Sequence, residues 1–359
     1  MADSARLTID LAALASNYVL FCARASAEVA GIVKADAYGV GLAPVFERLK
    51  KEGCKKFFVA TPDEALQIRR IDSGISVFVL GGLFHGSEAE YLSQNIQPVL
   101  NSPGDIERWK NLARQKEKKL PATIHFDTGM NRLGLGDDET RALLEDSSML
   151  EGLDVRLVMS HFACADEKDH PLNGQQAARF AEIARHFPKA QKSLSNSSGL
   201  FRNESWHYDL LRPGYALYGG NPTPETNNPV RPVVRLEARV LQTRNVRKGE
   251  SVGYSATHVF EKDTMTATLA LGYADGFLRS ASGKAQLYWK GKACPVLGRV
   301  SMDLVSIEIG HLDIKPQPGD WIEILGPHQT VDDLAARAGT IGYEILTSLG
   351  PRYKRDYTG

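Results

Sequence analysis

Short apolar runs recur along the first part of the chain: VAGIVK (29–34), KKFFVA (55–60), ISVFVL (75–80), IQPVL (96–100), ATIHFD (122–127) and LDVRLVMS (153–160). Two weaker ones follow at KSLS (192–195) and YALYG (215–219). Each is short, bounded by turn residues and mostly rich in β-branched or aromatic side chains, the signature of a buried strand. Helical patterns lie between most of them. Leu11, Leu14, Tyr18 and Cys22 recur at spacings of three and four, which puts them on one face of a first helix. A later helix opens Thr61-Pro62-Asp63-Glu64, where Thr61 can cap, Pro62 suits the first helical position and Glu64 closes a capping box. Eight strands alternating with helices predict an α/β fold, a (β/α)8 TIM barrel. A doubly wound open sheet would show the same alternation, so periodicity alone does not choose between them.

The pattern breaks at GGNPTPETNNPVRPV (219–233), a Pro- and Asn-rich stretch that reads as a linker. Beyond it VVRLEARVLQT (233–243) alternates, and TMTATLALGYADG, KAQLYWKG, MDLVSIEIG and GDWIEILG read as strand-and-turn units. One helix is expected at TVDDLAARAG, capped by Thr330. The expected organisation is a barrel over 1–228 and a smaller, mostly β C-terminal domain over 229–359.

Composition narrows the function. The 359 residues suffice for two domains, and Lys plus Arg equal Asp plus Glu at 43 each, so no net charge draws in nucleic acid or an anionic membrane. The N-terminus lacks a basic start followed by an apolar run, and no apolar stretch reaches the length of a membrane span. Cys22, Cys54, Cys164 and Cys294 are scattered and form no CxxC pair. That spacing argues against a metal site and fits reduced thiols in a cytoplasmic protein, with all four expected as small buried hydrophobes.

In a barrel of this kind, reactive groups gather at the C-terminal ends of the strands. Lys34 closes the first predicted strand, Asp127 the fifth and His161 the sixth. Arg132 follows Asp127, Asn196 and Ser197 follow the seventh strand, and Arg212 precedes the last. A lysine that ends an apolar strand is costly to bury as an ammonium. The same environment lowers its pKa and makes it a nucleophile able to form a Schiff base.

VKADAYGVG around Lys34 resembles the pyridoxal-phosphate attachment motif of the alanine racemase family. The resemblance continues in order through DTGMNRLG (127–134), SHFACAD (160–166), SNSSG (195–199), RPGYALYG (212–219), VGYSATH (252–258), LGYADG (271–276), GRVSMD (298–303) and YEILTSLGPR (343–352). It implies a pyridoxal 5'-phosphate-dependent racemase acting on alanine, a homodimer whose active sites form where one subunit's barrel meets the other's β-domain. By this resemblance Lys34 carries the cofactor and is the base on one face of the substrate, and Tyr254 of the partner chain is the base on the other. Tyr38, Ser197, the backbone around Gly214 and Tyr215, and Tyr343 would cradle the phosphate. Arg212 would face the pyridine nitrogen, with His161 hydrogen-bonded to it. Arg132 and the backbone at Met302 would hold the substrate carboxylate, and Tyr273 would line the approach from the partner side. Taken singly, the tyrosines read as packing residues, His161 as a structural histidine, and Asp127 and Asp303 as turn formers. The joint pattern carries the functional reading.

One position departs from the family. Two residues before the aspartate of DTGM, many members have a carbamylated lysine that orients the arginine equivalent to Arg132; here it is His125. A histidine forms no such stable carbamate, so Arg132 needs another support, from a carboxylate, a bound anion or hydrogen bonds alone. The competing readings are a serine or broad-specificity racemase, a barrel-type decarboxylase and a pyridoxal-phosphate carrier. Decarboxylases of this fold place an acid near the ring nitrogen, where Arg212 stands, and carriers resemble the barrel alone.

Overall fold

A computed structural model describes residues 4–359; the first three residues of the unit expected over 1–228 lie outside them. Seven parallel strands follow one another in chain order: Gly31–Ile32, Lys56–Val59, Ser76–Val79, Ile96–Leu100, Leu120–His125, Leu153–Met159 and Gln191–Ser193. The eighth place belongs to Leu210–Leu211, which pairs with Glu28–Val29 just ahead of the first strand. The bonds Asp209 N–H to Lys192 O (3.0 Å), Arg212 N–H to Ser195 O (3.0 Å) and Ala30 N–H to Leu211 O (2.9 Å) complete the ring. The α/β barrel is therefore closed, which excludes the open-sheet alternative.

YALYG is not the eighth strand. Tyr215–Tyr218 is a 3-10 turn. Pro213 has no N–H to give a ladder, and the N–H groups of Gly214 and Ala216 bond to Ser197 Oγ (3.0 and 3.3 Å) rather than to a neighbouring strand. The strand signal belonged one turn earlier, at the short apolar pair Leu210–Leu211.

Helices cover the barrel. Leu11–Arg24 buries Leu14, Tyr18 and Phe21, and Pro62–Ile71 carries the capping box anticipated at Thr61 and Glu64. Cys22 is exposed and Cys164 half-buried, so only Cys54 and Cys294 are buried thiols. Phe21 takes the place expected for Cys22, because a step of three from Tyr18 follows the buried stripe here better than a step of four.

The second unit is an antiparallel sheet wrapped around Val234–Val246, a strand of 13 residues that pairs with Trp321–Leu325 and, beyond a bulge between Val240 and Gln242, with Thr264–Leu269. Val305–Glu308, Lys292–Leu297 and Gln286–Trp289 complete it, and Val331–Ala338 is a helix capped by Thr330. Both ends of the described chain join this sheet. Ala5–Asp10 pairs antiparallel with Val234–Val246 and parallel with Lys354–Thr358. Between the units, Asn17 of the first barrel helix bonds to Leu217 O and Arg231 O, which pins the linker to the barrel. Among the described residues no helix is long and apolar enough to cross a membrane.

Candidate active site

The mouth of the barrel encloses a cavity of about 400 Å³, within the usual range for small-molecule sites. Nine of the residues to which the resemblance gives a role line it: Lys34, Tyr38, Arg132, His161, Ser197, Arg212, Gly214, Tyr215 and Tyr343. Eight stand at or beyond strand C-termini of the barrel. Tyr343 comes from Gly342–Thr347, a short helix of the second unit that reaches over the mouth.

Lys34 opens an unusual piece of backbone. Ala35, Asp36, Ala37 and Tyr38 all take left-handed conformations, with φ of 55, 52, 53 and 56°. Such residues cost about 1–2 kcal/mol each in this region, so the turn persists only where surrounding contacts impose it. Those contacts are present. Glu64 Oε1 accepts from Ala35 N–H (2.5 Å), and the other carboxylate oxygen accepts from Ala60 N–H (2.8 Å). Asp36 Oδ1 accepts from Leu42 N–H at 2.7 Å. From the C-terminal segment, Arg355 donates to Gly39 O (3.2 Å) and Tyr357 Oη to Val40 O (2.9 Å). The turn directs both Lys34 and Tyr38 into the cavity. Burial, reinforced by the charge of Arg132 and opposed by Glu64, holds the Lys34 ammonium below its ordinary pKa.

The same cavity holds a cationic group with no carboxylate partner among the described residues. Arg212 is 3 % exposed and donates to Ser193 Oγ and Ser160 O, while its Nη2 lies 3.4 Å from His161 Nδ1. Burial pushes Arg212 down to about 9, which still leaves it charged at neutral pH. Burial and then Arg212 hold His161 well below the ordinary histidine pKa. A neutral His161 accepts at Nδ1 from the guanidinium and carries its proton on Nε2. Gln176 Nε2 bonds to His161 O (2.9 Å) and fixes this backbone from behind.

In the same cavity Ser197 Oγ accepts from Gly214 and Ala216, which leaves its own hydrogen to donate. Tyr38 is stacked on Tyr218 (centroids 4.7 Å apart) and makes no hydrogen bond through its hydroxyl among the described residues. A Cβ on Gly214 would stand 2.2 Å from that hydroxyl, so only glycine lets the backbone and the phenol share this corner. The Tyr215 hydroxyl is engaged by Asp332 (2.5 Å) and its ring stacks on Tyr343 at 4.0 Å. Its contribution to the cavity is therefore its ring and backbone. A free phenol and a free serine hydrogen, beside backbone that Gly214 leaves open to close approach, form a donor set suited to an oxyanion such as a phosphate.

Tyr254, Met302 and Tyr273 are elsewhere. They are 69, 54 and 42 % exposed, and none lines the cavity of its own chain. Loop contacts gather them at one end of the second unit: Tyr273 N–H to Ser301 O (3.0 Å), Ala274 N–H to Met302 O (3.0 Å) and Arg299 to Ser255 Oγ (2.9 Å). Asp127 is a turn former, its Oδ1 accepting from Gly129 and Met130 N–H (both 2.8 Å), but Asp303 bonds to Arg352 (2.7 Å).

Sequence reasoning did not assign a site role to Glu64 or consider Asn101 and Asp332. Glu64 was visible as a cap, but its second bond to the Lys34 turn depends on tertiary approach. Asn101 and Asp332 had no local signal.

Comparison with known proteins places this geometry. Residues 9–222 match the family described as alanine racemase, N-terminal domain, and residues 233–357 match alanine racemase, C-terminal domain. A relative from Acidiphilium cryptum named alanine racemase is 48 % identical, with 97 % of each chain covered. One from Mesorhizobium japonicum named alanine racemase, catabolic, is 46 % identical over 100 % of this chain and 94 % of that one. A solved alanine racemase from Bartonella henselae, described with covalently bound pyridoxal phosphate, is 38 % identical with a TM-score of 0.96 over 99 % of this chain and 100 % of that one.

Proposed function

The chain belongs to the alanine racemase family and is a pyridoxal-phosphate-dependent enzyme that interconverts L- and D-alanine, and we propose that it does so with Lys34 on one face of the substrate and Tyr254 of a partner subunit on the other. The observation that carries this reading is the convergence of Lys34, Arg132, His161 and Arg212 on one cavity, while Tyr254 stands exposed outside it.

The donor set fits the cofactor. Tyr38, Ser197 and the backbone at Gly214 and Tyr215 would hold its phosphate beside Tyr343, and Lys34 would carry it. When bound, pyridoxal phosphate supplies an electron sink that stabilises charge at the substrate α-carbon. Arg212 would face the ring nitrogen. Its Nη1 donates to Ser193 and its Nη2 to Ser160 and towards His161, and at a pKa of about 9 it offers a hydrogen bond without giving a proton up at neutral pH. By keeping its proton, Arg212 would favour the unprotonated, weaker form of that sink and so disfavour side reactions.

Lys34 Nζ, depressed by burial and by Arg132, takes or returns the α-proton on its side. Inversion needs a second group on the opposite face. Tyr254 Oη meets that need when a second copy sets its loop cluster, with Met302 and Tyr273, against the barrel mouth. Arg132 and the Met302 backbone would then hold the substrate carboxylate.

Complementation tests the shared site. Lys34→Ala and Tyr254→Phe chains should each be inactive alone. Mixed and allowed to exchange, they should regain about a quarter of wild-type racemisation, because half of the dimers are mixed and each has one intact site. No recovery in chains shown to exchange would mean that Tyr254 does not serve the partner's substrate.

A further inference from the structure

His125 lines the cavity but has no part in the chemistry above. Its ring state follows from its neighbour. Asn101 is 7 % exposed, and its Nδ2 donates to Leu80 O at 3.1 Å, so its Oδ1 must face the other way. That oxygen lies 2.8 Å from His125 Nδ1. An amide oxygen only accepts, so Nδ1 carries a hydrogen. Burial, then Arg212 and Arg132, push the ring down to about 4, against the opposing pull of Asp127. At neutral pH the ring is therefore uncharged, and Nε2 holds a lone pair with no protein partner among the described residues.

The loop that bears Arg132 folds back onto this ring. Leu135 N–H bonds to His125 O (2.9 Å) and Asp127 N–H to Leu135 O (2.9 Å). A Cβ on Gly134, two residues after Arg132, would lie 3.2 Å from His125 Cγ. Arg132 lines the same cavity and makes no ion pair among the described residues. Asp127, the acid nearest in the loop, spends Oδ1 on its own turn at Gly129 and Met130. A guanidinium without a partner and a lone pair without a donor thus face one space.

We propose that His125 Nε2 is the acceptor that holds the Arg132 guanidinium in line for the substrate carboxylate, with Asn101 fixing the ring so that this nitrogen carries the lone pair. The proposal rests on the reading of Arg132 as the carboxylate ligand. His125 is a positioning residue, acting through Arg132. A neutral acceptor orients the guanidinium without cancelling its charge. The full positive charge stays available to the carboxylate and continues to depress Lys34.

The test uses the cofactor-loaded dimer and propionate, a carboxylate with no amino group, measured by titration calorimetry beside steady-state racemisation. His125→Phe should raise the propionate Kd and the KM for both alanine enantiomers roughly tenfold, the loss expected for one hydrogen bond to a charged group, with kcat changing far less. His125→Gln, which keeps an amide oxygen near the Nε2 position, should recover most of the affinity. In an Arg132→Ala background, His125→Phe should cost nothing further. The proposal is overturned if His125→Phe leaves propionate binding unchanged while Arg132→Ala weakens it. An equal loss from His125→Phe with and without Arg132 also overturns it, because the histidine then acts on its own. If Arg132→Ala does not weaken propionate, the carboxylate reading itself fails and the proposal falls with it.

Discussion

The corner shared by Gly214 and Tyr38 gives the sharpest test of the proposed cofactor cradle. In Gly214→Ala the new methyl would stand 2.2 Å from Tyr38 Oη and 3.0 Å from Cζ, where ordinary contacts begin at 3.4 Å. The phenol has little room to yield. Tyr38 is 6 % exposed, and the Tyr218 ring stacked on it is itself pinned by a hydroxyl bond to Ile32 O at 2.8 Å. Gly214 is equally constrained, because its N–H is held by Ser197 Oγ. Overpacking of this kind costs about 1–3 kcal/mol. Expressed wholly in cofactor binding, that is roughly a 5- to 150-fold rise in the pyridoxal-phosphate Kd, read by absorbance titration of the cofactor-free chain. Tyr38→Phe removes the worst contact and leaves the one at 3.0 Å. The double variant should therefore bind better than the sum of the two single losses, with a coupling of about 1 kcal/mol. Unchanged affinity and melting temperature in Gly214→Ala, or strict additivity in the double variant, would refute the argument, since either means that the two groups do not compete for the same space.

Three further outcomes are expected. Ala35→Gly replaces an exposed residue at φ 55° and should stabilise the fold by about 0.5–1 kcal/mol after the added chain entropy is subtracted, read as a raised urea midpoint; a lowered midpoint would show that the turn is not strained. His125 is held at about 4, below its ordinary 6.5, so the folded chain stays neutral there while the unfolded chain takes up a proton. Stability should fall as pH drops from about 6.5 towards 4, and His125→Gln should remove about 3 kcal/mol of that dependence in equilibrium unfolding. Racemisation should not change between carbon dioxide-free and bicarbonate-supplemented buffer, because residue 125 is a histidine; strong stimulation by bicarbonate would contradict a hydrogen-bonded support for Arg132.

The strand ends were readable because a closed parallel barrel brings them to one mouth whatever the loops do, and Lys34, His161 and Arg212 therefore met in space as the periodicity implied. Ala5–Asp10 went unread although Ala5, Leu7 and Ile9 alternate inward, because the helical pattern that follows masked it. The left-handed run from Ala35 to Tyr38 was not readable. It contains no glycine, and its shape is imposed by Glu64, Arg355 and Tyr357, two of them more than 300 positions away. That distance has a mechanistic consequence. Arg355 and Tyr357 lie on Lys354–Thr358, a strand of the second unit's sheet, and the same unit sends Tyr343 over the mouth. The barrel therefore relies on its own chain's second unit to aim Lys34, and in the proposed mechanism it relies on the other chain's second unit for the opposing base. In that mechanism exposed Tyr254 and constrained Lys34 would be two ends of one requirement: a proton removed from one face must be replaced on the other, and Tyr254 does not line the mouth of its own barrel.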